Sequence, residues 1–507
     1  MHLSSLLLLS AASLVSALPS NPKAQVLDCL QAAGIPDNVP GSPKFAALET
    51  PFNIRLNYTP SVIVAPKTEQ ELAVAVKCAC GTGVKVQARS GGHSYASFSL
   101  GGQDGSMIID LVNFNNVVPN FDQQHPTLAY FGGGVRLGNL DTALYNARRA
   151  LSHGTCSGIG VGGHFTHGGY GHTSRNWGLA MDAIVALDVV TADGKIVHTS
   201  PDPKEEPDLF WAMRGAADSF GIITNFYVET QPAPETIINF GYSISGMYED
   251  RARFVKFFQH LQDYVLHSEH VDRKISIGMY MDGQIFNFIG QYFGDQSFFN
   301  NTIVPELFST LGNGTWKGNP GSQKVDWLKS IELLNGAPIV YSLERTDYTH
   351  HDNFFAKSLT IPEPLGFTEK ALQSYHDYIV AKDVKPPNPW FSIINLYGGR
   401  DSMINVKDTN FAAYKDRDAL WVMQHYGFND AGKNVDLGFV NGLNDAITKA
   451  MPGDAGIGAY LNYIDPTLSR QEAIDMYYGK EVYAKLQTLK KKYDPEGVFW
   501  NPLAVEA

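Results

Sequence analysis

The sequence predicts an α+β fold divided between two domains, and three observations lead to this prediction. Before residue 231, short segments of strand character alternate with helical segments. Residues 231–234 read QPAP and mark a shift in composition that is typical of a domain boundary. Beyond it, residues 275–281 and 285–292 alternate in side-chain character, which predicts a second domain built on a largely antiparallel sheet.

The elements before the boundary follow one another closely. Residues 61–65 are rich in β-branched side chains and predict a strand, and Thr68 with Glu71 forms a capping box for a helix that runs to Gly81. The pair Asp193-Gly194 predicts the turn of a hairpin. The other predicted elements are strands at 84–88, 107–112, 128–131, 183–191 and 195–199, a helix at 140–150, and a Lys-rich C-terminal helix that ends near 490–495.

Residues 154–178 contain nine glycines and almost no helical periodicity. Residues 158–163 read GIGVGG and satisfy the dinucleotide pattern, with Asp182 where its acidic partner would lie. We reject a Rossmann motif because no clear strand precedes these residues and further glycines interrupt the helix that should follow. The run instead predicts backbone packed closely against a flat, phosphate-bearing ligand.

Composition and motifs argue against several classes of function. Lys and Arg total 39 against 51 Asp and Glu, a net charge of −12, which disfavours nucleic acid as a partner. After the N-terminus no uninterrupted apolar segment approaches the length of a membrane span, so no membrane insertion is expected. We predict no metal, because glycines interrupt the cluster of His153, His164, His167 and His172 and no H-E-x-x-H occurs. No G-x-S-x-G nucleophile elbow is present.

The N-terminus and the sequons predict a secreted protein. Residues 3–15 are apolar and Val15-Ser16-Ala17 offers a cleavage site, so residues 1–17 are predicted to be a signal peptide, although His2 is the only basic side chain before the apolar run. Sequons begin at Asn57, Asn300 and Asn313.

The chain has four cysteines, and an oxidising compartment favours one disulfide among them. Cys29 with Cys78 or Cys80 is the natural pair, and we take Cys29 with Cys78 as the prediction. A disulfide from Cys156 is the alternative, which its glycine-rich setting argues against.

Several motifs resemble the berberine-bridge-enzyme-like branch of the vanillyl-alcohol-oxidase flavoprotein family, and within it the fungal secreted oligosaccharide oxidases. The resemblance covers essentially the whole mature chain. The motifs that carry it are RSGGHSY at 89–95, SHGTCSGIGVGGH at 152–164, WGLAMD at 177–182, DLFWAMRG at 208–215, KYDPE at 492–496 and FWNP at 499–502.

The resemblance implies a two-domain, FAD-linked oxidase of vanillyl-alcohol-oxidase type. Residues 18–232 and 466–507 would form the FAD-binding domain, and residues 233–465 the substrate-binding domain, whose sheet roofs the flavin. FAD would be covalent, with His93 on the 8α-methyl group and Cys156 on C6. The other implied cofactor-binding residues are Ser90, Gly91, Gly92, Ser94, Gly158, Gly162, Gly163, Gly171 and Ile223.

The resemblance also implies a catalytic base, because oxidation at an anomeric carbon requires loss of the O1 proton and transfer of the C1 hydride. Residues 460–463 read YLNY and resemble the family segment whose last tyrosine is catalytic, here Tyr463. A free tyrosine has a pKa of about 10 and needs assistance to act as a base. Asn395 takes the place of the family's assisting aspartate and cannot accept a proton, which leaves the activation of Tyr463 open.

We therefore predict a secreted, monomeric carbohydrate oxidase that converts the anomeric hydroxyl of a sugar to a lactone while O2 becomes hydrogen peroxide. Tyr95 and Gln424 match residues of the substrate groove, and Tyr280 and Trp390 offer stacking faces for sugar rings. The alternatives are an oxidase or dehydrogenase of the same scaffold that acts on a secondary metabolite or aromatic alcohol, and a carbohydrate-binding flavoprotein without turnover.

Overall fold

The computed structural model describes residues 21–337, 339–342, 350–381 and 386–507, and their strands form four sheets. The predicted signal peptide, residues 1–17, lies outside these ranges. The described residues have the predicted α+β class. None of their helices is both long enough and apolar enough to cross a membrane.

The first sheet is small and mostly parallel. Its elements and neighbouring helices are α1 Pro22–Ala32, β1 Asp37–Asn38, α2 Phe45–Leu48, β2 Val62–Val64, α3 Glu69–Ala79, β3 Val86–Arg89 and β4 Met107–Asp110. The strand order is β1-β2-β4-β3, and β2 and β3 run parallel to β4. The Thr68 hydroxyl caps α3 by accepting a hydrogen bond from the Glu71 amide. The predicted disulfide joins Cys29 of α1 to Cys78 of α3.

The second sheet is antiparallel and has the order β5-β6-β10-β8-β9. Two further strands, β7 and β11, pair with each other beside it. The elements are β5 Val117–Pro119, β6 Leu128–Gly132, α4 Leu137–Asn146, β7 Arg149–Ala150, α5 Val161–Thr166, α6 Ser174–Trp177, β8 Ile184–Val190, β9 Ile196–Thr199, α7 Pro207–Ala216, β10 Ile222–Glu229 and β11 Gln231–Pro232. The antiparallel pairing of β8 with β9 confirms the predicted hairpin.

Helix α4 begins three residues before its predicted start and ends earlier than predicted. The amide of Leu137 donates to the carbonyl of Ile159 (2.9 Å), and that of Gly138 donates to Ser157 (3.0 Å). These long-range acceptors satisfy amide groups of the first turn that have no partner within the helix. Beyond the helix, Arg148 takes a φ of +58°, and the chain continues as β7.

The largest sheet has seven strands in the order β15-β12-β14-β13-β17-β18-β16, and each neighbouring pair is antiparallel. One face is covered by helices over a large apolar core. The elements are β12 Ile237–Ile244, α8 Arg251–His267, β13 Ile275–Met281, β14 Phe286–Tyr292, α9 Gln296–Phe298, α10 Val304–Leu307, β15 Trp316–Val325, α11 Trp327–Asn335, β16 Asn353–Pro362, α12 Glu369–Val380, β17 Trp390–Leu396, β18 Ala419–Asn429 and α13 Leu437–Thr448. The other face looks toward the first two sheets.

The C-terminal segment returns to the first sheet. It contains α14 Arg470–Ala473 and α15 Gly479–Tyr493. Beyond α15, the amide of Val86 in β3 donates to the carbonyl of Val498 (2.8 Å). The buried Lys490 ammonium forms an ion pair with Asp494 and also donates to two backbone carbonyls, which offset the cost of burying its charge. The chain end is therefore part of the architecture around β3.

Candidate active site

His93 lies in the loop that follows β3. At the start of this loop Arg89 forms a buried ion pair with Asp110 of β4 (Nη2–Oδ2 2.6 Å), which fixes the point where the chain leaves the sheet. Gly92 has a φ of +76°, which favours glycine. The His93 ring stacks on Phe52 with centroids 3.6 Å apart. Burial lowers the pKa of His93 to about 3, so the imidazole is neutral and keeps a lone pair for bond formation.

The loop that carries Cys156 packs backbone to backbone against the loop at 89–95. A side-chain carbon added at Gly91 would lie 2.2 Å from the nitrogen of Gly160, and one added at Gly160 would lie 1.9 Å from the nitrogen of Gly91. Both positions therefore require glycine. These two glycines bring the loops together, a role that was not part of our prediction for the run. The Cys156 side chain itself is exposed.

Two neighbouring cavities with lining residues in common lie beside these loops, one of about 780 Å³ and one of about 500 Å³, open mouths included. Both are lined by Ser90 and Gly163, and a carbon added at Gly163 would meet nothing within 4 Å. The cavity walls contain eight of the predicted cofactor residues. The larger is lined by Ser90, Gly91, Gly92, His93, Ser94 and Gly163, and the smaller by Ser90, Gly162, Gly163 and Ile223.

Three predicted cofactor residues, Cys156, Gly158 and Gly171, do not line either cavity. The Arg136 guanidinium donates a hydrogen bond to the carbonyl of Gly158. A carbon added at Gly171 would lie 1.7 Å from the carbonyl oxygen of His153. Both contacts brace the loop around Cys156.

The side chains of His153 and His164 also hold the loop that carries Cys156. The Nε2 atom of His153 lies 2.7 Å from Oδ1 of Asp141, and both side chains are buried. Burial lowers the pKa of His153, but the Asp141 carboxylate outweighs it and the net pKa is raised. His164 Nε2 accepts a hydrogen bond from the Gly154 amide (2.8 Å), and burial lowers the pKa of His164 to about 3. These contacts account for the two rings, and no metal-binding cluster occurs among the described residues.

The segment that ends at Tyr463 is locked to the loop at 164–170. The Tyr460 hydroxyl accepts hydrogen bonds from two backbone amides of that loop, at 3.1 and 2.8 Å. The Asn462 amide nitrogen donates to two of its carbonyls, at 3.0 and 3.1 Å. The side chains of Tyr460 and Asn462 thus set the position of Tyr463 by their hydrogen bonds to the backbone of that loop.

Tyr463 stacks on Tyr95, with ring centroids 5.3 Å apart and an interplanar angle of 17°. The Tyr95 oxygen accepts a hydrogen bond from Nε2 of Gln424 (2.8 Å), a residue of β18. This row joins three predicted residues from three distant parts of the chain. Burial, together with neighbours that include Tyr95, raises the pKa of Tyr463 well above 10. Tyr463 therefore carries its proton at neutral pH in this structure.

Asn395 and Tyr280 lie on the sheet face that looks toward Tyr463. Asn395 is paired with Gly278 across the strands, and a carbon added at Gly278 would lie 2.9 Å from the Asn395 Oδ1 atom. Tyr280 is half-buried and its ring stacks on Phe391 with centroids 5.5 Å apart.

Trp390 does not belong to this face. Its ring is buried among the apolar side chains on the helix side of the sheet and packs on Phe439, with centroids 5.3 Å apart. Because successive residues of a strand point to opposite faces, Trp390 and its neighbour Phe391 cannot share one side. The prediction of Trp390 as a sugar platform is therefore wrong.

Comparison with known proteins identifies the family of this site. Residues 60–200 match the model of the FAD binding domain, and residues 459–506 match the model described as berberine and berberine like. Over 489 residues the chain is 35% identical to a carbohydrate oxidase of Microdochium nivale, and the match covers 94% of each protein. The chain belongs to the berberine-bridge-enzyme-like family of FAD-linked oxidoreductases.

Two solved structures of related oxidases resemble the chain throughout. The xylooligosaccharide oxidase from Myceliophthora thermophila C1, in complex with xylobiose, has a TM-score of 0.87 and 32% identity and covers 95% of this chain and 99% of its own. The glucooligosaccharide oxidase from Acremonium strictum, described with a 6-S-cysteinyl, 8α-N1-histidyl FAD, has a TM-score of 0.86, 32% identity and the same coverage.

The residues of this berberine-bridge-enzyme-like protein fit FAD. A neutral imidazole at His93 lines the larger cavity, the thiol of Cys156 is exposed beside it, and Gly163 leaves its part of the wall open. Two neighbouring cavities with a shared wall suit a long cofactor with a flat ring at one end.

Sequence reasoning missed three contributors to this family site. Phe52, which stacks on His93, comes from a loop with no recognisable motif. Tyr460 lies in the YLNY segment, but nothing in that segment indicated that its hydroxyl would bind backbone amides. His164 was considered only as a metal ligand, and its spacing from Cys156 gave no indication of its bond to Gly154.

Proposed function

We propose that this protein is a secreted carbohydrate oxidase that oxidises the anomeric C1 hydroxyl of a sugar to a lactone, with O2 reduced to hydrogen peroxide. The observation that best supports this proposal is the row formed by Tyr463, Tyr95 and Gln424 beside the cavity that His93 lines. It supports a role for Tyr463 as proton acceptor, with two polar groups beside it, at the point where a sugar hydroxyl would meet a flavin.

FAD is held covalently in this proposal, through His93 and Cys156, as in the glucooligosaccharide oxidase. When bound, it supplies the two-electron chemistry, accepting hydride from the sugar and passing the electrons to O2. The remaining predicted contacts divide by position. Ser90, Gly91, Gly92, Ser94, Gly162, Gly163 and Ile223, which line the cavities, would contact the cofactor, and Gly158 and Gly171 would hold the loop.

Tyr463 takes up the proton of the anomeric hydroxyl. It can do so only as the phenolate, so its own proton must first leave to solvent, and this loss is costly because the pKa of Tyr463 is raised well above 10. Tyr95 assists: its oxygen already accepts a bond from Gln424, so its hydroxyl hydrogen is available for donation toward Tyr463. A hydrogen bond to the phenolate form lowers the pKa of a tyrosine.

Asn395 contributes a hydrogen-bonding amide on the same face, not a proton acceptor. Tyr280 offers a half-buried ring edge and hydroxyl farther along that face, which suits a sugar. Secretion is supported by the predicted signal peptide at residues 1–17 and by the disulfide between Cys29 and Cys78, which persists in oxidising compartments.

Hydrogen peroxide release by the purified yellow protein tests the proposal. The panel contains glucose, lactose, and cello-, xylo-, malto- and chito-oligosaccharides, with benzylic alcohols as controls. Peroxide from a sugar series, with the matching aldonic acid found by mass spectrometry, is the expected result. Peroxide from the alcohols alone, or reduction of the flavin by sugar without reoxidation by O2, would replace the proposal with one of the two same-scaffold alternatives.

A further inference from the structure

The loop that carries Cys156 is attached to helix α4 on both sides of the cysteine. We call residues 153–159 the tether loop. After Cys156, the carbonyls of residues 157 and 159 accept hydrogen bonds from the first two amides of α4, at 3.0 and 2.9 Å. Before Cys156, Nε2 of His153 lies 2.7 Å from Oδ1 of Asp141, a residue of the same helix. One helix therefore fixes the tether loop at two points, and Cys156 lies between them.

The contact before Cys156 is an ion pair. Nδ1 of His153 lies 2.7 Å from the carbonyl oxygen of Gly154, and Nε2 lies 2.7 Å from the Asp141 carboxylate. A carbonyl and an ionised carboxylate only accept hydrogen bonds, so both ring nitrogens carry a hydrogen and His153 is an imidazolium. The net rise in the pKa of His153 agrees with this protonation. Oδ2 of Asp141 is buried and has no hydrogen-bond partner among the described residues, so the carboxylate depends on His153.

A buried ion pair of this kind fixes position more than it adds stability. The cost of taking two opposite charges out of water offsets most of their attraction. Removing one partner, however, leaves the other charge buried and unpaired. The contact between His153 and Asp141 joins residues 12 positions apart, and Cys156 follows His153 closely in the chain. The pair therefore sets where the tether loop starts relative to α4.

Cys156 needs exact placement because its side chain does not line either cavity, whereas Ile159 at the other end of the tether loop lines the larger one. Bond formation between Cys156 and C6 of the flavin removes the thiol hydrogen and the C6 hydrogen as two protons. The two electrons pass to O2, which becomes hydrogen peroxide. The sulfur and the carbon must first approach to about 3–3.5 Å, and a misplacement of about 1 Å slows such a step about 100-fold.

We propose that the Asp141–His153 ion pair positions Cys156 for its bond to the flavin, so that without the pair most of the flavin stays attached through His93 alone. Asp141 and His153 are positioning residues in this proposal, since neither lines a cavity. The inference rests on the double attachment of FAD in the proposed function and is independent of the sugar that is oxidised.

A tryptic digest of the flavin-loaded protein tests the proposal. Trypsin cuts after Lys and Arg, so His93 lies in the peptide 90–136 and Cys156 in the peptide 150–175. A doubly attached flavin joins the two peptides, whereas a flavin on His93 alone leaves the second peptide free, and mass spectrometry separates these products. Asp141→Asn and His153→Gln should each slow formation of the Cys156 bond about 10–100-fold, so most of the flavin should be found on the first peptide alone.

Thiol titration of the denatured, flavin-loaded protein is the second measurement. The wild-type protein should offer only the thiol of Cys80, because Cys29 and Cys78 form a disulfide and Cys156 holds the flavin. Asp141→Asn and His153→Gln should each offer nearly one thiol more.

Asp182→Asn is the matched control, because it breaks a buried ion pair with Arg417, also 2.7 Å long, outside the tether loop and α4. It should lower the thermal midpoint as the test variants do and leave the two peptides joined. Joined peptides in both test variants, or an equal loss of joining in Asp182→Asn, would overturn the role of the pair. A free Cys156 peptide in the wild-type protein would contradict the double attachment itself, and the role of the pair with it.

Discussion

The two loops that carry His93 and Cys156 and the sheet face that carries Gln424 meet at one site but are built differently. The loops are held by backbone contacts too close for any side chain, as at Gly91 and Gly160. The sheet face is held by backbone pairing between its strands, so side chains such as the buried Asn395 and the half-buried Tyr280 can change without disturbing that pairing. This contrast explains how one family keeps its cofactor chemistry while its substrates differ.

The largest effect is expected from substitutions in the two loops, at His93 and Cys156. His93→Ala and Cys156→Ala singly should each leave flavin attached by the remaining bond, and the double variant should release all of it on denaturation. Flavin fluorescence on denaturing gels and the intact mass measure this. Complete release from either single variant would contradict a double link.

Replacing Tyr463 by Phe should slow flavin reduction by sugar about 10²–10⁴-fold, the usual contribution of a general base. The stack on Tyr95 survives because the ring is retained, so the protein should remain folded and yellow. Anaerobic stopped-flow measurement of the reduction rate provides the test. A near-normal rate would remove Tyr463 from the mechanism.

Asn395→Asp tests what the sheet face contributes to flavin reduction. Burial raises the pKa of a carboxyl group, so a gain in flavin reduction of about tenfold should appear only as the pH rises and the new group ionises. Asn395→Leu should show no such pH-dependent gain. A flat pH profile for Asn395→Asp would separate this position from Tyr463.

Two glycine variants compare packing with cofactor space directly. Gly91→Ala collides with the Gly160 backbone and should lower the free energy of unfolding by about 1–3 kcal/mol. Gly163→Ala meets no protein atom and should fold normally but incorporate less flavin. Thermal unfolding and the ratio of flavin to protein absorbance distinguish the two. The idea of loop-to-loop packing fails if both variants behave alike.

The smallest effect on activity is expected at Asp416, a buried residue near the Thr360–Gly458 bridge. Burial raises the pKa of Asp416 to about 7. The folded state then binds more protons than the unfolded state between about pH 4 and 7, so stability falls across that window and is constant above it, by at most about 4 kcal/mol. Asp416→Asn should flatten this dependence in thermal melts, and Asp454→Asn, at an exposed position, should not.

Sequence reasoning reached the fold class and the hairpin of β8 and β9 because these depend on local patterns. It reached the disulfide, which joins residues 49 positions apart, because the chain has only four cysteines. It failed at the start of α4, where acceptors from residues 157 and 159 decide the first turn. It also failed for Trp390, because an aromatic residue in a strand looks the same in sequence whichever face it occupies. The domain limits at residues 232 and 465 stay predictions.

The sequence by itself determined the two loops, because glycine, histidine and cysteine at fixed spacing carry their conformation and chemistry in a few consecutive residues. Only the tertiary structure decided how Tyr463, Tyr95 and Gln424 meet, since a side-chain hydrogen bond there joins a loop residue and a strand residue 329 positions apart.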